Sequence, residues 1–202
     1  VIIKPDNFRF PSSRPGNIID LFSRSGLRIV GAQVHRMSMA EAKEFYGPVQ
    51  AVLREKLCGR IIEKACVALE EEFGFAMPAE VKDALGKTLG PYYGDQQFFE
   101  IMKFMTGLWL PDVPASEMNA DGKVRCLVLI YAGVDAVNKI RNILGPTDPS
   151  KAQPGSVRKE YGSDIMVNAA HASDSAENAK REMGIIKPER NLLKQWFDQY
   201  YK

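Results

Sequence analysis

The residues of this chain best suited to chemistry lie near its C-terminal end. His171 opens the run His171-Ala172-Ser173-Asp174-Ser175, directly after Asn168-Ala169-Ala170. Residues 165–168 read as a strand, and Asp174 and Glu177 have the spacing of a capping box that starts a helix. A histidine between the two faces free backbone N–H groups and the positive end of a helix dipole, which together favour an anion. Imidazole titrates near neutral pH and is a competent nucleophile, so a histidine placed here can accept a phosphoryl group. A lone histidine before a helix also serves as a surface or capping residue. The motif alone does not separate these readings.

Cations form the second group. Arg141 is followed by Gly145-Pro146-Thr147-Asp148-Pro149 and then by Gly155-Ser156-Val157-Arg158. Two guanidiniums flanking a loop stiffened by Pro and Gly, with a threonine hydroxyl between them, suit a polyphosphate, because arginine binds phosphate oxygens in bidentate fashion. Solvated arginines on a surface loop would produce the same pattern. Lys4-Pro5-Asp6 places another cation at the end of the first strand, where lysine is most often a solvated charge. Nothing in the sequence converges on His35, which reads as a strand residue.

The elements that must position these groups follow from periodicity. Residues 1–4 are β-branched and apolar, a strand ending at the Lys4-Pro5-Asp6 turn. After a loop over 7–15, Asn17 is the expected cap of a helix whose inner face carries Ile18, Ile19 and Phe22 and which Gly26 stops. Residues 27–36 are strand-like, and Ser38 and Glu41 form a capping box for a short helix through Tyr46. Leu53, Leu57, Ile61, Ala65, Leu69 and Phe73 then recur every four residues, with Cys58, Ile62 and Cys66 beside them, until Gly74. This predicts an amphipathic helix of about six turns. A second helix is expected over 78–89, broken by Gly90-Pro91, and a third over 98–105. Residues 107–124 read as an irregular loop.

The α/β pattern resumes with a buried strand over 125–132 and a helix over 135–144 that turns Val137, Ile140 and Leu144 inward. A Pro-rich loop over 145–155, the strand over 165–168, a helix stopping near Gly184 and an amphipathic tail over 188–202 complete the chain. With the middle set aside, the order matches a ferredoxin-like βαββαβ antiparallel sheet with helices on one face, an α+β fold carrying an inserted helical segment.

Composition bounds the functions available. The 202 residues are 45% hydrophobic and 26% charged, enough for a real core. A net charge of +2 argues against nucleic acid or a membrane surface as the main partner. No apolar run approaches the roughly 20 residues that span a bilayer. Three cysteines, Cys58, Cys66 and Cys126, show no zinc spacing and read as buried reduced thiols, which points to a cytoplasmic compartment. The chain begins at Val1 in the manner of a strand, which suggests that residues are missing before it.

Three stretches, Ile2-Ile3-Lys4-Pro5-Asp6, residues 145–158 and His171-Ala172-Ser173-Asp174-Ser175, occur in the order and spacing of the nucleoside diphosphate kinase family, which the chain resembles. The resemblance covers residues 1–46, 98–106 and 125–185. It implies a ping-pong reaction in which His171 takes the γ-phosphate of a Mg-bound nucleoside triphosphate such as ATP and passes it to a second nucleoside diphosphate. By the same resemblance Lys4 and Asn168 hold the ribose hydroxyls, with Lys4 also near the transferred phosphate, and Arg141, Thr147 and Arg158 grip the phosphates. Tyr46, from Lys43-Glu44-Phe45-Tyr46, stands beside the nucleophile, and Glu182 orients the imidazole with Ser173 as neighbour. Phe98 and Ile165 sandwich the base, although the register also allows Gln97 in place of Phe98. No residue is expected to ligate a metal directly, because Mg arrives on the nucleotide.

The chain departs from the family pattern at Ala172, where glycine is usual, and in two added stretches, a helical insertion over 47–97 and a shorter loop insertion over 107–124, both within a single domain over 1–202. The family implies a dimer-based homo-oligomer, which a long amphipathic helix in need of a covering surface can alter. A non-catalytic nucleotide-binding or protein-interaction module on the same fold is the alternative function. Intact Lys4, Arg141, Arg158 and His171 weigh against it.

Overall fold

The computed structural model describes residues 1–188, except for the side chains of Leu57, Cys58 and Arg60. The expected tail helix from 189 onward and the expected burial of Cys58 lie outside the described residues.

Alternation of faces organises the core. Strands β1 (Ile2–Ile3), β2 (Arg28–His35), β3 (Cys126–Ala132) and β4 (Ala170–His171) form one sheet in the order β2-β3-β1-β4. Every neighbouring pair is antiparallel. Helix α1 (Arg14–Ser23) joins β1 to β2, and α4 (Ala136–Leu144) and α5 (Val157–Tyr161) lie between β3 and β4. This is the ferredoxin-like βαββαβ arrangement. Because side chains alternate along a strand, Ile2 and Val128 enter one cluster with Met39, Phe45 and Met102, while Ile3 and Leu129 enter another with Ile18, Phe22, Ile140 and Leu144. The sheet is therefore covered on both faces, not on one as the element order suggested. On the second face lie α1 and α4. On the first lie α2 (Met39–Phe73), α3 (Ala79–Thr106) and the last described helix, α6 (Ala176–Ile186).

The largest difference from the sequence pattern is in the middle. The two helices expected over 38–46 and 53–73 are one, α2, which runs through Pro48; those expected over 78–89 and 98–105 are also one, α3, which runs through Gly90-Pro91. Local propensity argues for breaks, since proline in a helix interior costs about 3 kcal/mol. Packing wins because α2 and α3 lie against each other along their length. Gly86, Gly90 and Gly94 recur every fourth residue of α3 and are all buried. A Cβ built on Gly94 would stand 2.6 Å from Arg54 Cα, so glycine is what permits this approach. Beside it, Arg54 makes two bonds to Asp95, of 2.7 and 2.9 Å, and Gln50 donates a third.

Other boundaries move for local reasons. Helix α1 starts at Arg14 with Pro15 in its first turn, a position where the missing N–H is no loss, so Ser13 and not Asn17 is its cap. The box at Ser38 and Glu41 forms with both bonds, 3.2 Å to the Glu41 N–H and 2.8 Å from the Ser38 N–H. The expected strand over 165–168 is instead a turn, because the Asp164 carboxylate accepts from the N–H groups of Met166 and Val167 at 2.8 Å. The strand itself begins later, at Ala170. Helix α6 is capped by Ser175, whose hydroxyl accepts from the Asn178 N–H at 3.0 Å, and it continues past Gly184 to Ile186. Residues 107–124 hold two short 3-10 turns, Leu110–Asp112 and Ala115–Glu117. Among the described residues, no helix is long and apolar enough to cross a membrane.

Two glycine substitutions test this account with opposite signs. A Cβ on Gly59 of α2 meets nothing within 4 Å, so Gly59→Ala should stabilise the protein by about 0.5–1 kcal/mol through reduced unfolded-state freedom. Gly94→Ala should destabilise it by about 1–3 kcal/mol, because the helices must separate to admit the methyl group. Denaturant unfolding of both variants is the check, and a shared sign would refute the packing argument.

Candidate active site

His171 is the last residue of β4, paired with Ile2 of the central strand, so its backbone is fixed by the sheet. Its ring is held from the side by α6: Nε2 lies 3.0 and 3.1 Å from the two carboxylate oxygens of Glu182. The Ser173 hydroxyl donates to the same carboxylate at 2.6 Å. An ionised carboxylate only accepts, so Nε2 must carry the proton and Nδ1 is left with its lone pair. Burial lowers the pKa of His171 by more than the charge and hydrogen bond of Glu182 raise it, which keeps the ring neutral at pH 7. Burial pushes the Glu182 carboxyl up, but the bonds from His171 and Ser173 outweigh this and hold it below the usual carboxylate range. The side chain of His171 keeps 24% of its surface open to solvent. The result is a neutral, oriented and reachable imidazole.

Aromatic rings wall the imidazole. Phe45 meets it edge-on at 5.1 Å between centroids and Tyr46 at 6.3 Å. Both sit on the first turns of α2, placed by the Ser38 cap. The Tyr46 hydroxyl is buried without a hydrogen-bond partner, and burial raises its pKa, so it stays protonated.

The cations gather next to this. Lys4 leaves β1 and is 9% exposed; its Nζ donates to Asn168 Oδ1 at 2.6 Å and to the Met166 carbonyl at 3.1 Å, and lies 5.7 Å from the centre of the Phe104 ring. Burial, reinforced by the charge of Arg158, lowers its pKa to about 8. Arg158, in the first turn of α5, donates to the carbonyls of Gly145 and Ala170 at 3.0 and 3.2 Å. Burial and then the charge of Arg141 lower its pKa to about 10, so it remains a cation at neutral pH. Arg141 is exposed in the last turn of α4. His171 feels Lys4, Lys4 feels Arg158, and Arg158 feels Arg141. Such a chain of like charges is a site for a polyanion.

Asn168 is 1% exposed and fully engaged, accepting from Lys4 and donating to the carbonyls of Thr147 and Ile165 at 3.1 and 2.7 Å. A ribose contact, as the family resemblance implies, would require it to release one of these partners; here it ties Lys4 to two loops. Thr147 is exposed on its loop, and Ile165 is 61% exposed. Phe98 corrects an expectation. Its ring is 1% exposed among Met37, Met102 and Met105, so it has no face to offer a base, while Gln97 beside it is half-buried. The sequence pattern also assigned no role to Phe45 or to Phe104. The signal for Phe45 was its place beside Tyr46, and for Phe104 there was none, since its partner Lys4 lies a hundred residues away. Among the described residues, no group of three or more His, Cys, Asp or Glu side chains could hold a metal.

The chain is similar in sequence and fold to known proteins. A family model described as "Nucleoside diphosphate kinase" matches residues 116–192. The nucleoside diphosphate kinase of Anaeromyxobacter sp. (strain K) is 32% identical over 188 residues, covering 93% of this chain and 86% of that protein. That of Nitrosospira multiformis is 29% identical over 191 residues, covering 95% and 92%. Among solved structures, an NDP kinase from Pyrobaculum aerophilum superimposes with a TM-score of 0.57 at 27% identity, covering 91% of each chain. The Aquifex aeolicus nucleoside diphosphate kinase gives 0.55 at 26%, covering 92% and 90%.

The lowered pKa of Lys4 has a measurable consequence. Between about 8 and its ordinary value of 10.5 the folded chain holds fewer protons at this site than the unfolded chain, so the contribution of Lys4 to stability rises with pH across that window. A bound polyphosphate reverses the shift by favouring the ammonium. ADP binding at pH 8.5 should therefore take up a proton, seen by calorimetry as an enthalpy that depends on the buffer, and Lys4→Met should abolish the dependence. Equal enthalpies in two buffers for the wild type would show that Lys4 does not meet the phosphates.

Proposed function

Since the chain belongs to the nucleoside diphosphate kinase family, we propose that it moves the γ-phosphate of a nucleoside triphosphate to a nucleoside diphosphate by way of a phosphohistidine on Nδ1 of His171. The protein is a phosphotransferase acting on nucleoside diphosphates. The observation that carries this route is the bond of Nε2 to Glu182, which leaves Nδ1 as the free nitrogen.

In the first half-reaction the Nδ1 lone pair forms a bond to the γ-phosphorus while the bond to the β,γ-bridging oxygen breaks. The diphosphate leaves with that electron pair. No proton need move, since Nε2–H stays on Glu182 throughout and the carboxylate stabilises the positive charge that develops on the ring. In the second half-reaction a terminal oxygen of another diphosphate attacks the same phosphorus from the opposite side, and His171 departs neutral. Lys4, Arg141 and Arg158 neutralise the phosphate oxygens, with the Thr147 hydroxyl on the loop between the helices of the two arginines. Phosphoryl transfer asks little of the protein beyond positioning and charge neutralisation, and these residues supply both. The Tyr46 hydroxyl is buried without a hydrogen-bond partner beside the imidazole. With Phe98 in the core, exposed Ile165 is left as the apolar contact for a base, which supports broad base acceptance.

The donor set fits a magnesium ion that travels on the nucleotide. Cations surround the nucleophile, and Mg²⁺ is commonly held by substrate phosphates, waters and few protein oxygens. When bound it would neutralise charge on the phosphates, alongside Lys4 and the arginines. The unpaired buried thiols of Cys66 and Cys126 suit a reducing, cytoplasmic setting. Residues 47–97 and 107–124 are additions within one domain, and the edge strand β2 is where a dimer forms. It exposes Ile29, Val30 and Val34, with Val34 64% open. Light scattering should find an oligomer that Val34→Glu dissociates, and a monomeric wild type would remove the dimer.

Incubation with γ-labelled ATP and Mg²⁺, followed by a GDP chase, tests the chemistry. The wild type should acquire acid-labile label that moves to GTP, and His171→Ala should acquire none. Glu182→Gln should lower the labelling rate by about 10²-fold, because the amide neither stabilises the developing imidazolium nor fixes the tautomer as firmly. Absence of label under conditions where ATP binds would return the chain to a nucleotide-binding or protein-interaction role.

A further inference from the structure

Helix α2 carries a defect beside the nucleophile. Pro48 lies inside it and has no N–H, so the carbonyl of Glu44, four residues earlier, has no donor from its own helix. The donor comes from α6. Arg181 directs Nη1 to the Glu44 carbonyl at 3.2 Å and Nη2 to the Phe45 carbonyl at 3.3 Å. The same Nη2 stands 3.9 Å from Glu182 Oε1. Arg181 is thus bonded to the backbone of Phe45, whose ring meets the imidazole, and adjoins Glu182, whose carboxylate holds Nε2.

We propose that Arg181 is a positioning residue for His171. Through the carbonyls around the Pro48 gap it locks the helix that carries Phe45 and Tyr46 to the helix that carries Glu182, so that both supports of the imidazole keep one spacing. The proposal rests on the phosphohistidine reading of the site. Three features set it apart from a general stabilising contact. The acceptor at Glu44 exists because proline stands at 48 and not for any reason of overall fold. The planar fork of arginine spans two successive carbonyls, which a lysine ammonium does less well. The spacing being fixed is that of a hydrogen-bonded pair, for which misplacement by about 1 Å can cost about 10²-fold in rate.

The test uses Arg181→Met, Arg181→Lys, Pro48→Ala and the double variant Pro48→Ala/Arg181→Met. Two readouts apply, single-turnover phosphorylation of the full chain by γ-labelled ATP and ¹⁵N NMR of the imidazoles, of which the chain has only two. Arg181→Met should slow phosphorylation about tenfold while ATP affinity holds, and should mix the ring tautomers of His171. Arg181→Lys should recover part of the rate at most. Pro48→Ala restores an N–H for Glu44, so removing Arg181 in that background should cost less than about threefold. A folded Arg181→Met protein with the wild-type rate and a single tautomer would overturn the proposal. So would an equal loss on removing Arg181 from the wild type and from the Pro48→Ala variant. Because tautomer populations are read without turnover, a wild type that fails to label would sink the phosphohistidine reading while the NMR comparison still judged Arg181.

Discussion

The hydrogen bond between His171 Nε2 and the carboxylate of Glu182 is the constraint on which the site depends. It decides which ring nitrogen keeps its lone pair, and it can form only if β4 and α6 keep a fixed separation. The sheet fixes one end, since His171 pairs with Ile2 in the central strand. The core fixes the other, because Ile185 and Ile186 at the end of α6 are buried with Met39, Phe45 and Val128. The Ser173 hydroxyl, bonded to the same carboxylate, closes the turn between strand and helix. Apolar burial therefore sets an angstrom-scale polar geometry.

Against that pair, a neutral imidazole on an ionised carboxylate, stands an accumulation of positive charge. Burying Lys4 and Arg158, and then setting them near further positive charge, disfavours their charged forms, as their lowered pKa values record. Each buried cation is consequently given carbonyl or amide oxygens: Asn168 and Met166 for Lys4, Gly145 and Ala170 for Arg158. These neutral acceptors pair Lys4 Nζ and both Nη atoms of Arg158 without cancelling the charge, while Arg158 Nε is buried without a partner. A carboxylate in their place would stabilise the empty protein and compete with the phosphate. The backbone carries part of the strain. Ala169 is fully buried at φ +68°, a conformation that costs a non-glycine residue about 1–2 kcal/mol. It is held there because its carbonyl accepts from both the Lys4 N–H and Asn7.

The order of the sheet elements and several local motifs could be read from the sequence. The capping box at Ser38 and the buried strand β3 depend on neighbours in the chain, and both form where the pattern put them, whereas near His171 the strand starts later and Ser175, not Asp174, caps the helix. What could not be read depends on distant partners. Pro48 and Gly90-Pro91 are breakers by every local rule, yet both helices continue. The compensating groups, Arg181 for one and the close face of α2 for the other, are remote in sequence. Phe98 looked like a base-stacking residue because a one-residue shift in a helix turns the side chain by about 100°. In α3 that shift is the difference between the core and its rim. The strand expected over 165–168 failed for a smaller reason. An apolar run of three residues, Ile165 to Val167, is too short for periodicity to outweigh the turn that Asp164 imposes.

Pro48 also bears on how the long helices relate to the chemistry. A continuous 35-residue α2 would carry any displacement of its far end straight to Phe45 and Tyr46. The bond that proline removes is near the point where the helix leaves the sheet-covering core and continues as an arm packed on α3. On the core side the helix is held by buried Ala42, Phe45 and Tyr46, and by Arg181. Beyond it, Gln50 and Arg54 bond to Asp95, and further out Ile62, Cys66 and Met77 form a cluster of their own. The arm thus has an independent core and polar clasp, while the catalytic segment has separate anchors. A charge-assisted bond from arginine to a carbonyl is worth about 1.5–3 kcal/mol, comparable to the cost of the proline. The helix stays continuous at Pro48 because two different sets of contacts, one on each side, hold it there.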